Sequence, residues 1–267
     1  MANFFTNKAV VVTGGSDGIG KALVDLLLQK GAKVATCARD HEKLQKAFAP
    51  NANLLTAKAD VSIESDCNLF IEKCIQKFGT IDVLINNAGI SMRGEFAITP
   101  AEVYKKVMDI NYLGVVYCTK AAFPEILKNK GGIVGVSSIA GFRGLPGRAG
   151  YSASKFALNG FLEALRTELL PSGVNVLTVC PGFTRSNIRM AALTDKNKAQ
   201  GETPLDENSL MSAEDCAAQI LEAISKKKRM LILSGNDKRT VWINKLFPSL
   251  ADKFTYKFFY KEGSLIK

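Results

Sequence analysis

A serine, a tyrosine and a lysine near the middle of the chain have the residue types and the spacing of a proton-transfer site. Tyr151 and Lys155 are four residues apart, so their side chains are neighbours if this segment is a helix. A free tyrosine has a pKa of about 10 and is a poor acid or base at neutral pH, but a nearby ammonium group favours the phenolate and lowers that pKa. Ser138 could donate a hydrogen bond to a carbonyl oxygen on which negative charge develops. Together the three side chains predict acid–base chemistry at a carbonyl group.

The sequence around this trio indicates which elements would position it. The apolar run 132–136 predicts a buried strand, and Ser138 lies at its end. Glycines and a proline between 141 and 150 disfavour regular structure, and the periodic segment 151–169 predicts a helix. Because the chain has six tyrosines and many lysines, a Tyr-x-x-x-Lys pair can arise by chance and needs a cofactor site to support it.

Such a cofactor site is predicted near the start of the chain, where a glycine-rich loop separates a strand from a helix. The β-branched run 8–13 predicts the strand, 21–30 the helix and 33–37 a second strand, which together form a βαβ unit. A glycine loop in this place lets the backbone approach a pyrophosphate, which then binds at the N-terminus of the helix. The predicted contacts to a dinucleotide in this loop are Gly14, Ser16, Gly18, Ile19 and Gly20.

The end of the second strand indicates which dinucleotide to expect. An acidic residue there would bind the 2′-hydroxyl of NAD, whereas an arginine would accommodate the 2′-phosphate of NADP. The sequence at this point is Ala38, Arg39 and Asp40, and a guanidinium group suits a phosphate. Asp17 in the glycine loop weighs against NADP, because a basic residue there would have attracted the phosphate. We predict NADP as the cofactor, with NAD as the alternative.

Length and composition predict one globular domain over residues 1–267. Of the 267 residues, 47% are apolar and 22% are charged, which is ordinary for a globular protein. Uninterrupted apolar runs are too short to cross a membrane, and the first residues lack the pattern of a signal peptide. Six cysteines without Cys-x-x-Cys spacing indicate reduced thiols, and a single histidine argues against a metal cluster or a histidine-based triad. We therefore predict a cytoplasmic protein without a metal.

The net charge of +10 leaves several kinds of partner open. A solvated surface explains it most simply, while a phosphorylated cofactor, an anionic membrane surface or a nucleic acid would also fit. No helix-turn-helix, zinc-ligand spacing or aromatic–basic interleaving supports nucleic acid, so we predict none. A non-catalytic, dinucleotide-binding regulatory protein is a further alternative, which the loss of Ser138, Tyr151 or Lys155 would have favoured.

Strand and helix patterns alternate along the rest of the chain. Further strands are predicted at 53–58, 81–85, 132–137, 175–179 and 230–233. Further helices are predicted at 63–78, 101–110, 112–128 and 212–225. Strands that alternate with helices predict a parallel sheet covered by helices on both faces. The predicted fold class is therefore α/β, a doubly wound Rossmann-like fold.

The order of these motifs resembles that of the short-chain dehydrogenase/reductase family. The resemblance covers residues 8 to about 235. Its marks are Thr-Gly-Gly-Ser-Asp-Gly-Ile-Gly at 13–20, Asp60, Asn-Asn-Ala-Gly at 86–89, Asn111, Ser138, Tyr151, Lys155 and Pro-Gly at 181–182. It implies a seven-stranded parallel sheet and a nicotinamide dinucleotide that exchanges a hydride with a carbonyl compound or an alcohol. It requires no metal.

The resemblance also implies roles for the catalytic residues. Tyr151 would be the acid or base, and Lys155 would lower its pKa and hold the nicotinamide ribose. Ser138 would polarise or orient the substrate carbonyl, and Asn111 would anchor a water relay to Lys155. Asn111 could instead only interrupt a helix.

Three more residues are implied to contact the cofactor. Asp60 would contact the adenine, Asn87 the adenosine ribose and Thr184 the nicotinamide amide. Each also has a structural alternative: Asp60 could cap the helix 63–78, the turn 86–89 could only support the sheet, and Thr184 could be a loop hydroxyl.

The polar, irregular segment 185–211 follows the implied nicotinamide loop, and we expect it to cover the active site as a lid. Candidate apolar walls of the substrate site are Phe142, Leu145, Phe183, Ile188 and Met190. They favour a small-molecule substrate that is a hydrophobic, lipid- or steroid-like ketone, although ordinary packing would explain them equally well.

Two surfaces suggest larger partners. In the C-terminal extension 236–267, the apolar residues Leu250, Phe254 and Phe258 and a parallel row of lysines recur every four residues, which is typical of a basic amphipathic helix. This helix would pack on the body or on a second subunit, or contact an anionic membrane. Small residues along 151–169 and the apolar surface of 112–128 predict a homodimer or homotetramer, as is common in the family.

Overall fold

A computed structural model describes residues 4–203, 210–262 and 264–266, and within these residues seven parallel strands form a central sheet. The strands are β1 (Ala9–Thr13), β2 (Lys33–Ala38), β3 (Leu54–Lys58), β4 (Val83–Asn86), β5 (Gly132–Val136), β6 (Asn175–Cys180) and β7 (Met230–Ile232). Their order in the sheet is β3-β2-β1-β4-β5-β6-β7. From β1, strands β2 and β3 extend the sheet to one side, and β4 to β7 extend it to the other. The point between β1 and β4 is the topological switch point, where such sheets bind ligands.

Among the described residues, seven helices come from the segments between the strands, and two follow β7. They are α1 (Gly18–Gln29), α2 (His41–Lys46), α3 (Glu64–Phe78), α4 (Ala101–Met108), α5 (Gly114–Lys128), α6 (Ala149–Glu168), α7 (Ala213–Ser225), α8 (Gly235–Leu246) and α9 (Pro248–Phe259). A π-helical turn, Asp109–Leu113, joins α4 to α5. The short strands Met92–Arg93 and Leu193–Thr194 pair in parallel, and Tyr260–Lys261 pairs antiparallel with Ser264–Leu265.

The core consists of two apolar layers, one on each face of the sheet. Every residue of β1 is buried, and the side chains of Val10 and Val12 pack into the layer beneath α1 and α7. Val11 points the other way, into the layer formed with α3, α5 and α6. Alternate residues of one strand thus serve both layers, which is why the strands are almost continuously apolar. The doubly wound α/β fold predicted from the sequence is confirmed.

The C-terminal extension contains two helices where the sequence pattern predicted one. Ser234 caps α8 by accepting a hydrogen bond from the backbone N–H of Asp237 at 3.1 Å, and Pro248 at the first position of α9 separates the two helices. Among the described residues, no helix carries an apolar stretch long enough to pass through a bilayer.

Candidate active site

A cleft of about 1290 Å³ lies along the carboxyl ends of the strands. It runs from the end of β2, past the glycine loop, to Ser138, Tyr151 and the C-terminal helices. Since drug-sized ligands occupy roughly 300–1,000 Å³, this cleft has room for a dinucleotide and a substrate together.

The glycine loop leads from β1 into α1 with close backbone contacts. Gly14 has a φ of +73°, a left-handed conformation that favours glycine. A Cβ on Gly20 would collide with the carbonyl oxygen of Gly14, so only glycine lets α1 start this close to the loop. Asp17 caps α1 by accepting a hydrogen bond from Gly18 N at 2.7 Å. The N-terminus of α1 borders the cleft and suits a pyrophosphate, and the loop residues that line the cleft are Gly14, Ser16, Asp17, Gly18, Ile19 and Gly20.

Asn87 holds the glycine loop in place from the next strand. Its Nδ2 donates to the carbonyl oxygens of Thr13 and Gly14 at 2.9 and 3.2 Å, and its backbone N–H donates to Thr13 Oγ1 at 3.0 Å. Asn87 still lines the cleft, whereas Asn86 is buried and donates to Thr119 on α5. Asn86 therefore supports the sheet and Asn87 the cofactor loop.

Two basic side chains border the cleft at the end of β2. Arg39 is exposed and lines the cleft, as does Lys43 in α2. Asp40 is turned toward its own helix, where Oδ1 accepts a hydrogen bond from the backbone N–H of Lys43 at 2.9 Å. Lys43 Nζ forms an ion pair with Asp17 at 2.5 Å. The carboxylate of Asp17, which weighed against NADP, is thus paired with an ammonium group. Lys43 is a basic residue at the cleft that the sequence patterns did not indicate.

Asp60 lies at the cleft and also shapes the turn after β3. Its Oδ1 accepts hydrogen bonds from the backbone N–H and the hydroxyl of Ser62 at 3.0 and 2.7 Å. The alternative role of Asp60, capping of the helix 63–78, is wrong. Ile63 occupies the N-cap position of α3, and its side chain makes no capping hydrogen bond.

Ser138, Tyr151 and Lys155 meet at the other end of the cleft. Ser138 follows β5 and forms a hydrogen bond with the buried hydroxyl of Tyr151. Lys155 lies one turn further along α6, with Nζ 5.7 Å from the centre of the Tyr151 ring and 2.8 Å from the carbonyl oxygen of Val136. The fold therefore brings the three side chains together, with Tyr151 and Lys155 one turn apart on α6.

The electrostatics of this trio differ from the sequence-based expectation. Burial raises the pKa of Tyr151 above its ordinary value, and this outweighs the lowering by the hydrogen bond from Ser138 and by the charges of Arg148 and Arg189. Lys155 is not among the groups that most affect the pKa of Tyr151, and its ammonium donates to the carbonyl oxygen of Val136. Burial also lowers the pKa of Lys155 to about 8.

Asn111 is fully buried in the π-helical turn. Its Oδ1 accepts from Ile90 N at 2.8 Å, and its Nδ2 donates to Ile90 O and to Ser154 Oγ, both at 2.9 Å. The side chain thus links the segment after β4 to α6. A Cβ on Gly89 would lie 3.2 Å from Asn111 Oδ1 and 3.6 Å from Lys155 Nζ, so the missing side chain leaves a small space between these two groups.

Part of the segment predicted as a lid, residues 186–189 and 191, borders the cleft. Arg185 N donates to Met211 O at 2.8 Å, and Thr184 and Met211 form a parallel bridge. A Cβ on Gly18 would lie 2.9 Å from Ser186 Cβ, so the segment touches the glycine loop. Residues 204–209 of this segment lie outside the described residues. Thr184 is buried and lines the cleft.

Apolar side chains line the substrate end of the cleft. Of the five predicted wall residues, Leu145, Phe183 and Ile188 line it, whereas Phe142 and Met190 do not. Three further aromatic residues come from α9 and were not expected there: Phe254, Phe258 and Phe259. No local sequence pattern predicts them, because they reach the cleft only through the packing of the extension.

The extension is attached to the loop that follows Ser138. Arg143 donates to Asn244 Oδ1 of α8 at 2.9 Å and to Asp252 Oδ1 of α9 at 2.6 Å, and Asn244 donates back to Phe142 O at 2.8 Å. The rings of Phe183 and Phe258 stack at 6.3 Å. The extension therefore packs on its own body and closes one side of the substrate end.

No group of three or more His, Cys, Asp or Glu side chains in the described residues is arranged to hold a metal ion. All six cysteines are buried free thiols.

Comparison with known proteins identifies the family. A family model described as short chain dehydrogenase matches residues 8–197. The chain belongs to the short-chain dehydrogenase/reductase family. Short-chain dehydrogenase/reductases are NAD(P)-dependent oxidoreductases, and this chain is one of them.

Several similar curated proteins from vertebrates carry the same name. Dehydrogenase/reductase SDR family member 7B of Mus musculus is 35% identical over 266 residues, which cover 92% of this chain and 80% of the relative. The protein of the same name from Xenopus laevis is 34% identical over 263 residues, which cover 90% of this chain and 78% of the relative.

Solved short-chain dehydrogenase/reductases share the fold. One from Burkholderia phymatum, in complex with NAD, superimposes with a TM-score of 0.82 at 23% identity and covers 92% of this chain and 95% of its own. The 3-ketoacyl-(acyl-carrier-protein) reductase from Brucella melitensis, complexed with NADH, has a TM-score of 0.75 at 23% identity and covers 85% of this chain and 96% of its own. At this level of identity the likeness concerns the fold alone.

Proposed function

We propose that this protein is an NADP-dependent oxidoreductase that interconverts an apolar ketone and the corresponding alcohol. The observation that carries the proposal is the single cleft that joins the glycine loop to Ser138, Tyr151 and Lys155. The alternative is the same enzyme with NAD as its coenzyme. Because Arg39 is exposed to solvent, its position does not exclude a dinucleotide without a 2′-phosphate. A non-catalytic dinucleotide-binding protein would not need a complete Ser-Tyr-Lys trio at the end of the same cleft.

The residues of the cleft fit a nicotinamide dinucleotide. The glycine loop and the N-terminus of α1 would hold the pyrophosphate, and Asp60 and Asn87 would lie against the adenosine half. Arg39 and Lys43 offer two positive charges for a 2′-phosphate, which favours NADP. Thr184 and Lys155 would lie against the nicotinamide half.

In the reductive direction, the chain supplies a proton donor and orients the substrate. The bound nicotinamide supplies the hydride. Ser138 holds the carbonyl oxygen by a hydrogen bond, and Tyr151 gives its phenolic proton to that oxygen. Because burial raises the pKa of Tyr151, the phenol is protonated at neutral pH, as this step requires. A water molecule in the space beside Gly89 could contact Asn111 and Lys155 and return a proton to the tyrosine.

The walls of the cleft support an apolar substrate. Leu145, Phe183 and Ile188 come from the loops after β5 and β6, and the aromatic side chains of α9 complete the wall. The segment 185–211 would act as a lid, since its described part touches the glycine loop and the substrate end alike. Such a lid would exclude water from the reacting groups.

Two further proposals concern partners. The exposed apolar and basic side chains of α8 and α9 would contact an anionic membrane surface peripherally, while the protein itself stays in the cytoplasm. The outer faces of α5 and α6 would form a homodimer or homotetramer interface.

The deciding experiment follows NADPH oxidation with a panel of apolar ketones. Tyr151→Phe should lower kcat/KM by roughly 10²- to 10⁴-fold, as expected for the loss of a general acid, while NADPH binding measured by fluorescence stays near the wild-type value. Tyr117→Phe makes the same chemical change in α5, outside the cleft, and should keep full activity. Turnover that survives in Tyr151→Phe would remove tyrosine as the proton donor, and a wild-type protein without affinity for either coenzyme would end the proposal.

A further inference from the structure

Three arginines lie close together at the substrate end of the cleft. Arg148 and Arg189 line the cleft, and both act electrostatically on Tyr151. Arg93 acts on Arg148 from the short strand Met92–Arg93. Gly94 N donates to Gly147 O at 2.9 Å, which fixes that strand against the residue that precedes Arg148.

Arg148 is held rigidly between elements. It precedes the first turn of α6, where its carbonyl oxygen accepts from Ser152 N at 2.8 Å and its own N–H donates to Leu145 O at 3.0 Å. Arg189 donates to Thr184 O at 3.0 Å and is almost completely buried. The backbone of Arg148 and the guanidinium group of Arg189 are thus held in place beside the cleft.

Arg148 lacks an acidic partner among the described residues. Its Nε is buried and makes no hydrogen bond there. Burial, together with the charge of Arg93, lowers the pKa of Arg148 to about 10, and the only group that acts in the opposite direction is the phenol of Tyr151. Arg148 is partly buried, and a charge removed from water without a partner is costly, so a ligand that brings a negative charge would be stabilised at this place.

The chain itself binds the terminal nitrogens of two other arginines. Arg143 also lines the cleft, and its Nε is likewise buried without a hydrogen bond, but its two terminal nitrogens bond to Asn244 and Asp252. Arg166, which is partly buried, donates to the carbonyl oxygen of Val176 and to Thr178. Arg148 differs from both, because its guanidinium group makes no hydrogen bond to the described residues.

We propose that Arg148, supported by Arg93 and Arg189, binds an anionic group of the substrate, a carboxylate or a phosphate carried close to the carbonyl of an apolar ketone. This inference rests on the proposed function and narrows its substrate class to amphiphilic keto acids or keto phosphates. The phosphates of the coenzyme are expected at the glycine loop and at Arg39, away from Arg148. They would therefore not supply the negative charge that Arg148 lacks.

The first test measures binding without turnover. Decanoate, decyl phosphate and decanol are titrated by calorimetry into the wild-type protein saturated with NADPH. At least one of the two anions should bind roughly tenfold or more tightly than decanol, because a charge-assisted hydrogen bond is worth about that factor. The stronger of the two anions identifies the group as a carboxylate or a phosphate. If decanol binds as tightly as both anions, the proposal is overturned.

Substitutions then assign the effect to Arg148. Arg148→Gln should bind the preferred anion roughly tenfold more weakly and decanol unchanged, Arg148→Lys should restore part of the difference, and Lys120→Gln, which removes an exposed charge of α5, should change nothing. Anion binding that is unaffected in Arg148→Gln would contradict the proposal. The wild-type comparison still decides if this variant does not fold.

A kinetic arm separates substrate binding from an effect on the phenol. The wild-type protein reduces 4-oxodecanoate and its methyl ester, and Arg148→Gln should raise KM for the acid alone. An equal fall in kcat for both ketones would mean that Arg148 acts only through Tyr151, which overturns the proposal. If neither ketone is reduced although NADPH binds, the proposed reaction fails, while the binding experiment still tests the anion site.

Discussion

The phenol of Tyr151 is buried, and burial is the largest influence on its pKa. The hydrogen bond from Ser138 and the charges of Arg148 and Arg189 act in the opposite direction without cancelling it. A tyrosine in this state keeps its proton at neutral pH and is a weaker acid than a free tyrosine. Deprotonation for the oxidative direction therefore needs a change in the surroundings, such as the positive charge of an oxidised nicotinamide.

Lys155 makes a prediction about stability. Its pKa is about 8 in the folded protein and 10.5 in the unfolded chain, so the unfolded chain holds the extra proton between these values. The stability of the folded state should therefore rise as the pH increases from 8 to 10.5. Relative to Lys155→Met, the unfolding free energy of the wild type should increase over this range by up to roughly 3 kcal/mol, at about 1.4 kcal/mol per pKa unit.

Urea denaturation of both proteins without coenzyme, at several pH values, measures this difference. Lys120→Met, at an exposed position, should show no comparable pH dependence against the wild type. A difference between wild type and Lys155→Met that stays constant with pH would mean that the ammonium is not desolvated.

The coenzyme preference is tested at Arg39. Arg39→Ala should weaken NADPH binding roughly ten- to hundredfold, because a charge-assisted hydrogen bond to phosphate is lost, and should change NADH binding little. Lys43→Ala should act in the same direction, with an added cost because Asp17 loses its ion pair. Dissociation constants for both coenzymes measure this effect. Equal losses for NADPH and NADH would show that no 2′-phosphate is recognised at this place.

At the scale of elements, the connection between α4 and α5 explains how Asn111 reaches the site. Gly114 N bonds to Asp109 O, five residues earlier, so the chain forms one wide turn instead of a regular helical turn. Such π-turns are often found at functional sites. The sequence suggested only that Asn111 interrupts two helices, because the wide turn depends on the partners that its amide finds at Ile90 and Ser154.

The pair α8–α9 carries an exposed apolar surface that suits a membrane. Trp242 is 67% exposed and Phe247 60% exposed, and the lysines 245, 253 and 257 lie on the same two helices. Trp242 is the only tryptophan of the chain, so its emission reports on this surface alone. With phosphatidylserine vesicles we expect a blue shift that high salt reverses, whereas phosphatidylcholine vesicles and the double variant Lys253→Glu/Lys257→Glu should give little shift. An unchanged spectrum with anionic vesicles would exclude contact through α8.

At the scale of the whole molecule, the extension joins two parts of the chain that are far apart in sequence. Arg143, in the loop after β5, is bonded to α8 and α9, and the aromatic residues of α9 face the cleft. The surface proposed for a membrane therefore belongs to the same two helices that close the substrate end.

The outer face of α6 leads to a prediction about assembly. A Cβ on Gly160 would meet nothing within 4 Å, and Phe156, one turn earlier, is 47% exposed. In a chain of 28.9 kDa, light scattering should give two or four times the monomer mass. Gly160→Arg should shift the protein to monomers without weakening NADPH binding, since this position is open in a single subunit. A monomer mass for the wild type would refute the oligomer.

Local patterns in the sequence were enough to predict much of the fold and of the candidate site. Apolar runs and 3.6-residue patterns predicted the seven strands and the helices α1 and α3 to α7 within a few residues, because most of the strands are buried and each helix has one apolar face. The glycine loop and the four-residue spacing of Tyr151 and Lys155 depend only on local backbone geometry, and so they could be recognised without a structure.

Only the tertiary structure decided the properties that arise from burial and from contacts between distant segments. The direction of the pKa shift of Tyr151 depends on desolvation, which no spacing reveals. The ion pair of Lys43 with Asp17, the aromatic wall from α9 and the cluster of Arg93, Arg148 and Arg189 each combine residues from separate segments. A linear pattern does not contain these distances, because they follow from how the helices and loops pack around the sheet.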